Sequence, residues 1–308
     1  MRAHEFVPEG GWASAATQNT VINPQSISDL MPALKEFQDA FNRGLERDGI
    51  PPIRVGRPVG SGTYYQTDLK SNPEKEYGDI DVQFIVPRIE GKTPAQVKAL
   101  YTNEITEFCR LNGNYETNTG VNVIFHNTPI GPVQIDMVIM FDDRVEWTAA
   151  LAPEHGTKGV LSSSLYSALA QVLNISISDD GILPKKGRRN DYDNPISFNP
   201  KQWGLELVNH LGAKKAHQKL QRNPGMKDQV RISDIIETIK GIAYTLEING
   251  MDNAQELLSK IKDIYLQKID KVINSSKFDK AETPDAQKKA KETKEMLAKR
   301  SQEIASLF

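Results

Sequence analysis

The stretch that decides the fold covers residues 56–87 and reads GRPVGSGTYYQTDLKSNPEKEYGDIDVQFIVP. It contains a Gly60-Ser61 turn, a polar insert and a segment that opens with Asp79-x-Asp81. From Asp79 onward polar and apolar residues alternate, which predicts a strand because successive side chains of a strand point to opposite faces. Asp79 and Asp81 would then share one face, about 6 to 7 Å apart along the strand.

Two carboxylates on one face of a strand repel each other unless a cation lies between them. Mg²⁺ takes oxygen ligands and is commonly held by one or two carboxylates together with the phosphates of a substrate. The alternative interpretation is a strand whose acidic residues simply face water. A third acidic residue farther along the chain favours the metal site.

That third residue is Asp136, within the run PVQIDMVIM of residues 132–140. The run is otherwise typical of a buried strand, where a carboxylate is costly unless it is paired or bound to a metal. An Asp136 satisfied by an arginine or by backbone donors is the alternative. Asp142 and Asp143, at the end of the same strand, have the pattern of ordinary turn residues.

Hydrophobic periodicity organises the rest of the chain. Apolar residues at helical spacing predict helices over residues 26–49, 94–111, 161–173, 202–221, 231–248, 253–274 and 284–307. Alternation and short apolar runs predict strands over residues 53–59, 79–87, 121–125 and 133–141. Ser26 or Ser28 is the expected cap of the first helix and Thr93 that of the second.

Two segments are predicted to be loops, the polar insert 70–78 and the Asp-, Asn-, Gly- and Pro-rich residues 174–200. We therefore predict an α/β fold with a mixed sheet of about four or five strands, followed by an all-helical domain. The predicted organisation is an irregular N-terminal arm, an α/β domain, a helical domain and a charged C-terminal helix, over residues 1–25, 26–150, 151–275 and 276–308.

Charge is distributed unevenly along the chain. Residues 1–150 hold 13 Lys and Arg against 20 Asp and Glu, whereas residues 151–308 hold 25 against 20. Within residues 185–231 there are 11 basic residues and four acidic ones. A basic segment of this kind suits a polyphosphate or nucleic-acid partner, and it equally suits solvated helices.

Several classes of protein are disfavoured. Cys109 is the single cysteine, which excludes an intramolecular disulfide and a cysteine-based zinc site. No apolar run approaches the length of a membrane span, and the N-terminus lacks the layout of a signal peptide, so we expect a cytoplasmic protein with no membrane partner. Neither a GxxxxGK phosphate loop nor a GxSxG elbow is present.

Taken in order, the Gly60-Ser61 turn, the Asp79-x-Asp81 strand and the lone Asp136 resemble the motifs of the nucleotidyltransferase superfamily of DNA polymerase beta. That superfamily includes poly(A) polymerases, CCA-adding enzymes, oligoadenylate and cyclic-dinucleotide synthases, and antibiotic nucleotidyltransferases. The resemblance covers roughly residues 50–142. One departure is that 17 residues separate Ser61 from Asp79, several more than is usual, and the excess is the polar insert. Gly62-Thr63 is the alternative position for the turn.

The resemblance implies a metal-dependent enzyme that transfers a nucleoside monophosphate from a triphosphate to an acceptor hydroxyl and releases pyrophosphate. It implies that Asp79, Asp81 and Asp136 are catalytic and hold two Mg²⁺ ions, for which Mn²⁺ can substitute. One ion would bind the β- and γ-phosphates; the other, shared with Asp136, would lower the pKa of the acceptor hydroxyl, whose proton Asp136 is a candidate to accept. Gly60 and Ser61 would bind the nucleotide through close backbone approach and N–H and hydroxyl donors.

The acceptor is left open by the sequence. The leading hypothesis is an RNA or tRNA 3′ end that binds residues 185–231, with ATP as the expected nucleotide and Trp203, His210 and His217 within the segment. A cation from Lys158 or from residues 185–189 is a candidate to meet the triphosphate. The alternatives are a synthase that joins nucleotides to each other without RNA, and a non-catalytic nucleotide-binding protein that retains the fold.

Overall fold

The computed structural model of the 308-residue chain divides into two compact units, of which one is Val7–Ala152 and the other includes Pro153–Phe308. The structure describes residues 20–77, 80–145, 157–173, 175–178, 181–184, 196–199, 204–207, 231–248, 250, 252–275, 278 and 284–308. Among the helices of these residues, none is both long and apolar enough to cross a bilayer. The domain boundaries drawn from the sequence stay a prediction.

The first unit is built from helices packed on a sheet. Its elements are α1 (Pro24–Arg47), β1 (Arg54–Val59), α2 (Tyr65–Ser71), β2 (Ile80–Val86), α3 (Pro94–Leu111), β3 (Tyr115–Thr117), β4 (Asn122–Phe125) and β5 (Val133–Phe141). A 3₁₀ turn, Gly60–Tyr64, joins β1 to α2, and a second one, Asp142–Arg144, follows β5.

The five strands form one mixed sheet in the order β1-β2-β5-β4-β3. β2 and β5 run parallel, whereas the β1–β2, β5–β4 and β4–β3 pairs are antiparallel. Parallel neighbours need a long crossover connection, and here α3, β3 and β4 lie between β2 and β5 in the chain. The sheet thereby brings together two segments that are distant in sequence.

One face of the sheet carries the hydrophobic core. Alternate residues of the two central strands lie in that core: Ile80, Val82, Phe84 and Val86 of β2, and Ile135, Met137, Ile139 and Phe141 of β5. They belong to one cluster with apolar residues of α1 and α3, among them Phe37 and Tyr101, which are both 0% exposed. The residues between them on β2 and β5 therefore point to the other face.

Both long helices of this unit begin at side-chain caps. The side chain of Asn23 accepts a hydrogen bond of 2.8 Å from the N–H of Ser26, so α1 is capped by Asn23 rather than by Ser26 or Ser28 as predicted. Ile22, which precedes this cap, pairs with Tyr77. Thr93 caps α3 as predicted, in a reciprocal capping box with Gln96.

The second unit contains four helices among its described residues, α4 (Gly159–Val172), α5 (Ile232–Ile248), α6 (Ala254–Ile273) and α7 (Pro284–Ala305). α6 contacts α4, α5 and α7. The charged helix α7 lies against the rest of the unit, because its few apolar positions, including Leu297 and Ile304, are buried.

The predicted α/β fold with a mixed sheet of about four or five strands is confirmed. The domain that follows it was predicted to be all-helical. One detail is corrected: the second unit also contains the strands β6 (Ile175–Ser178), β7 (Gly181–Pro184), β8 (Ile196–Asn199) and β9 (Gly204–Leu207), paired as two hairpins. The first three lie in the predicted loop 174–200 and the last in the predicted helix 202–221. Each is only four residues long, too short for its period-two pattern to stand out among Asp, Asn, Gly and Pro.

Candidate active site

Two carboxylates meet at the centre of the sheet. In the parallel pairing of β2 with β5, Asp81 is the direct neighbour of Asp136, which sets their Cα atoms about 4.8 Å apart. Both side chains are partly exposed and flanked along their strands by buried residues. Because laterally paired residues of parallel strands project to the same side, the two carboxylates share the sheet face opposite the core.

The sequence around each carboxylate dictates this placement. Ile80 and Val82 on either side of Asp81 are 1% and 2% exposed, and Ile135 and Met137 on either side of Asp136 are 0% and 4% exposed. A shift of one residue in either strand would bury a carboxylate in the core and expose two large apolar side chains. Burial of the flanking residues therefore fixes which face the acidic pair occupies.

The turn after β1 lies against this pair. Gly60 has φ +59°, and a Cβ atom added to it would lie 2.5 Å from Oδ2 of Asp81. Glycine is required there for two reasons, the left-handed backbone and the close approach of the carboxylate. Ser61 is exposed beside it. Gly62, of the alternative turn, is buried, and a Cβ atom added to it would lie 3.4 Å from Cβ of Pro58.

A glutamine holds the second carboxylate. Gln134 is 8% exposed, and its Nε2 donates a hydrogen bond of 2.7 Å to Oδ1 of Asp136. Gln134 precedes Asp136 by two residues and lies on the same face of β5. The carboxylate is therefore oriented by a neutral donor.

An asparagine extends the row of polar residues across the sheet. Asn122 of β4 pairs with Asp136 of β5 in the antiparallel register. Because β4 and β2 lie on either side of β5, Asn122 and Asp81 flank Asp136. Oδ1 of Asn122 accepts a hydrogen bond of 2.7 Å from the hydroxyl of Thr119, which fixes the plane of the amide. The row Asp81, Asp136, Asn122 offers carboxylate and amide groups on three adjacent strands.

The polar insert is anchored by a buried acidic residue. Asp68 of α2 is 1% exposed and accepts hydrogen bonds from the hydroxyl of Tyr77 at 2.5 Å and from Nζ of Lys75 at 2.7 Å. Burial and the bond to Asp68 raise the pKa of Tyr77 above its ordinary value. The N–H of Tyr77 also donates to the carbonyl of Ile22 at 2.8 Å. The polar loop was predicted over residues 70–78, but its first two residues belong to α2. The contacts of Asp68 and Tyr77 tie the remainder down just before the Asp79-x-Asp81 motif.

Asp142 and Asp143 are ordinary surface residues, as predicted. Oδ1 of Asp142 accepts from Nη2 of Arg54 at 2.7 Å, and Asp143 accepts from Nη2 of Arg88 at 2.9 and 3.0 Å. The two aspartate side chains are 78% and 50% exposed. Exposed pairs of this kind contribute little stability, and neither residue lies on the pairing row of Asp81 and Asp136.

Other predicted site residues fall outside the described part of the chain. These are Asp79, residues 185–189, Trp203, His210 and His217. Lys158 is the N-terminal flanking residue of α4 in the second unit. Arg231, the last basic residue of the segment 185–231, forms an ion pair of 3.1 Å with Asp234 in the first turn of α5.

The donor set suits a hard divalent cation. Asp81 and Asp136 supply carboxylate oxygens from adjacent strands, which Mg²⁺ and Mn²⁺ prefer. Within the residues that the structure describes, no cluster of three or more His, Cys, Asp or Glu side chains is placed to hold a metal ion. The third carboxylate of the motif, Asp79, is not among the residues that the structure describes.

Sequence reasoning missed Gln134, Asn122 and Asp68. A pattern for Gln134 was present, since it stands two residues from Asp136 in an otherwise apolar run and a strand places such residues on one face. Asn122 and Asp68 could not be found in this way. Their positions depend on strand pairing and on the path of the insert, which have no local pattern.

Comparison with known proteins finds similarity among solved structures. No family model and no curated protein matches the sequence. Solved structures that match include Leishmania infantum polymerase beta in a ternary P/T complex, with 13% identity, a TM-score of 0.34, and coverage of 76% of this chain and 74% of that one. Another is the CdnC:HORMA-deltaN complex of E. coli MS115-1, with 11% identity, a TM-score of 0.27, and coverage of 83% and 96%. Since both TM-scores lie below 0.5, the assignment of the site rests on strand order and register.

Proposed function

We propose that the chain is a metal-dependent nucleotidyltransferase that moves a nucleoside monophosphate from a nucleoside triphosphate to an acceptor hydroxyl. The observation that carries the proposal is the register that makes Asp81 and Asp136 neighbours on the sheet face opposite the core. The contact of Gly60 with Asp81 adds support, since it sets the turn expected to bind phosphates against the acidic pair.

In the proposed reaction the acceptor oxygen attacks the α-phosphorus, a new P–O bond forms, and the bond from the α-phosphorus to the pyrophosphate oxygen breaks. Asp81 and Asp136, with Asp79 from the motif, would hold Mg²⁺ or Mn²⁺. Such ions stabilise the charge that develops on the attacking and leaving oxygens. Asp136 is the candidate to take the proton of the hydroxyl, and Gly60 and Ser61 offer backbone and hydroxyl donors to the phosphates.

The proposed acceptor is an RNA or tRNA 3′ end, with ATP as the nucleotide. Support comes from the composition of residues 185–231, which include 11 basic residues and four acidic ones, because phosphate contacts dominate the affinity for nucleic acids. Neutralising Lys185, Lys186, Arg188 and Arg189 together is expected to weaken acceptor binding and flatten its dependence on salt. An unchanged salt slope would show that these four residues do not bind the acceptor.

The test is incubation with each α-³²P-labelled triphosphate and Mg²⁺ or Mn²⁺, with and without total RNA. Label on RNA would support the proposed acceptor; label in small products without RNA would favour the nucleotide-joining synthase. Asp81→Asn and Asp136→Asn should abolish transfer in a folded protein. The matched control Asp142→Asn should keep full activity, since that residue forms an exposed ion pair. Transfer that survives in both site variants would show the assignment to be wrong.

A further inference from the structure

Gln134 has no role in the reaction proposed above, and yet it is buried on the same sheet face as the acidic pair. Its Nε2 lies 2.7 Å from Oδ1 of Asp136. We infer that Gln134 is a positioning residue that holds the Asp136 carboxylate in the orientation a divalent cation requires. The inference rests on the proposed function, because it assigns Asp136 to a cation.

The chemistry of the two groups fixes the direction of the bond. A carboxylate only accepts hydrogen bonds, so the NH₂ end of Gln134 must face Asp136 and its Oε1 must point away. One such bond orients the carboxylate and leaves most of its roughly four acceptor positions to other partners. Ligating carboxylates are commonly held by hydrogen bonds of this kind from groups that do not touch the metal.

The neutrality of the donor matters as much as its position. An arginine or lysine at position 134 would also orient Asp136, but its charge would offset the negative charge that attracts a cation. The amide of Gln134 orients the carboxylate without cancelling its charge. Asp136 therefore keeps its full attraction for a cation while its rotation is restricted.

Burial makes the contact hard to replace. With Gln134 8% exposed, water has little access to supply a substitute donor if the amide is removed. Methionine has a similar unbranched shape and no strong donor, so Gln134→Met removes the hydrogen bond with little change in packing. Removal of the donor should then free the carboxylate to rotate away from the orientation that binds a cation.

A second glutamine of the first unit provides the matched control. Gln38 of α1 is half-buried, and its Oε1 accepts a hydrogen bond of 2.7 Å from the N–H of Val55. Gln38→Met loses a hydrogen bond of equal length that is not made to the acidic pair. The difference between the two variants isolates the contact with Asp136 from the general cost of a lost bond.

The experiment measures Mn²⁺ binding by electron paramagnetic resonance in the full chain without nucleotide, and the Mg²⁺ dependence of label transfer at saturating triphosphate. Gln134→Met should weaken Mn²⁺ binding by about 10- to 100-fold and raise the half-saturating Mg²⁺ concentration in parallel. kcat should fall while the KM for the triphosphate changes less than about twofold, since the proposal gives Gln134 a contact with the Asp136 carboxylate and none with the substrate. Gln38→Met should lower the melting temperature and leave Mn²⁺ affinity at the wild-type value.

Mn²⁺ affinity of Gln134→Met within about twofold of that of Gln38→Met would overturn the inference, whatever the melting temperatures. Gln134→Leu replaces the methionine variant if circular dichroism shows that the latter does not fold. If the wild-type protein transfers no label to any acceptor, the proposed function fails. The Mn²⁺ affinities of Gln134→Met and Gln38→Met would still decide the role of Gln134. A wild-type protein that neither binds Mn²⁺ nor transfers label would overturn both.

Discussion

Replacing Gly60 with alanine should disturb the acidic pair while leaving the fold in place. The added Cβ would lie 2.5 Å from Oδ2 of Asp81, whereas non-bonded atoms settle at about 3.5 Å or more. The carboxylate or the turn must therefore move by about 1 Å. A displacement of that size in a catalytic group costs about 100-fold in rate.

The same substitution carries a backbone cost. Gly60 has φ +59°, and a left-handed backbone costs an L-residue about 1–2 kcal/mol. For a unit of this size, that corresponds to a fall of roughly 2–8 °C in the melting temperature. The protein should thus stay folded at 25 °C and lose most of its transfer activity.

Gly49→Ala is the matched control. Gly49, just after α1, has φ +69°, and a Cβ there would meet nothing within 4 Å. This variant should show the backbone cost alone, with transfer activity at the wild-type level.

The labelled-triphosphate assay then compares Gly60→Ala with Gly49→Ala, and thermal unfolding compares Gly60→Ala in the wild-type and Asp81→Ala backgrounds. Without the carboxylate the steric part of the cost should vanish, leaving the value seen for Gly49→Ala. The reasoning is refuted by a Gly60→Ala variant that is as active as Gly49→Ala and whose stability cost is the same with and without Asp81.

Three further predictions concern the stability of the first unit. Burial raises the pKa of Tyr101 to about 12 from an ordinary 10.0. Between these two pH values only the unfolded state loses the tyrosine proton, so the free energy of unfolding from urea denaturation should fall as the pH rises from 10 to 12. The fall should be less steep in Tyr101→Phe. Burial likewise raises the pKa of the Cys109 thiol to about 12, so iodoacetamide at pH 8 should label the urea-unfolded chain and spare the native one in mass spectra; rapid native labelling would contradict the burial. Thr93→Ala removes the capping box of α3 and should lower the free energy of unfolding in urea by about 1 kcal/mol, whereas Thr93→Ser should keep most of the wild-type stability. An equal loss of stability in both variants would show that the Thr93 hydroxyl is not what stabilises the helix.

The central strands could be predicted because their patterns are local. In β2 the alternation around Asp81 reveals a half-buried strand, and in β5 a charged residue inside an apolar run marks Asp136 as exceptional. That these two residues are lateral neighbours could not be predicted from those patterns. Register depends on the partner strand, and no local feature of β2 encodes a position on β5.

The contacts that support the site escaped prediction for the same reason. Asp68 stands in a polar stretch that looks solvated, and its burial arises because the insert folds Tyr77 and Lys75 back onto it. Asn23 was passed over as a cap because Ser26 and Ser28 are equally good capping residues nearby. The residue before Asn23, Ile22, pairs with Tyr77, an interaction across more than fifty positions of the chain that has no local pattern.

The parallel pairing of β2 with β5 has a consequence for the order of folding. Hairpins such as β3–β4 close over a short loop, whereas β2 can meet β5 only after α3 and both of those strands are accommodated, at a larger loop-closure entropy. The last step also brings two like charges together. Folding intermediates should therefore protect the amides of β3 and β4 from hydrogen exchange before those of β2, and metal ions should bind only the fully folded chain. Added Mg²⁺ would then slow unfolding more than it speeds folding.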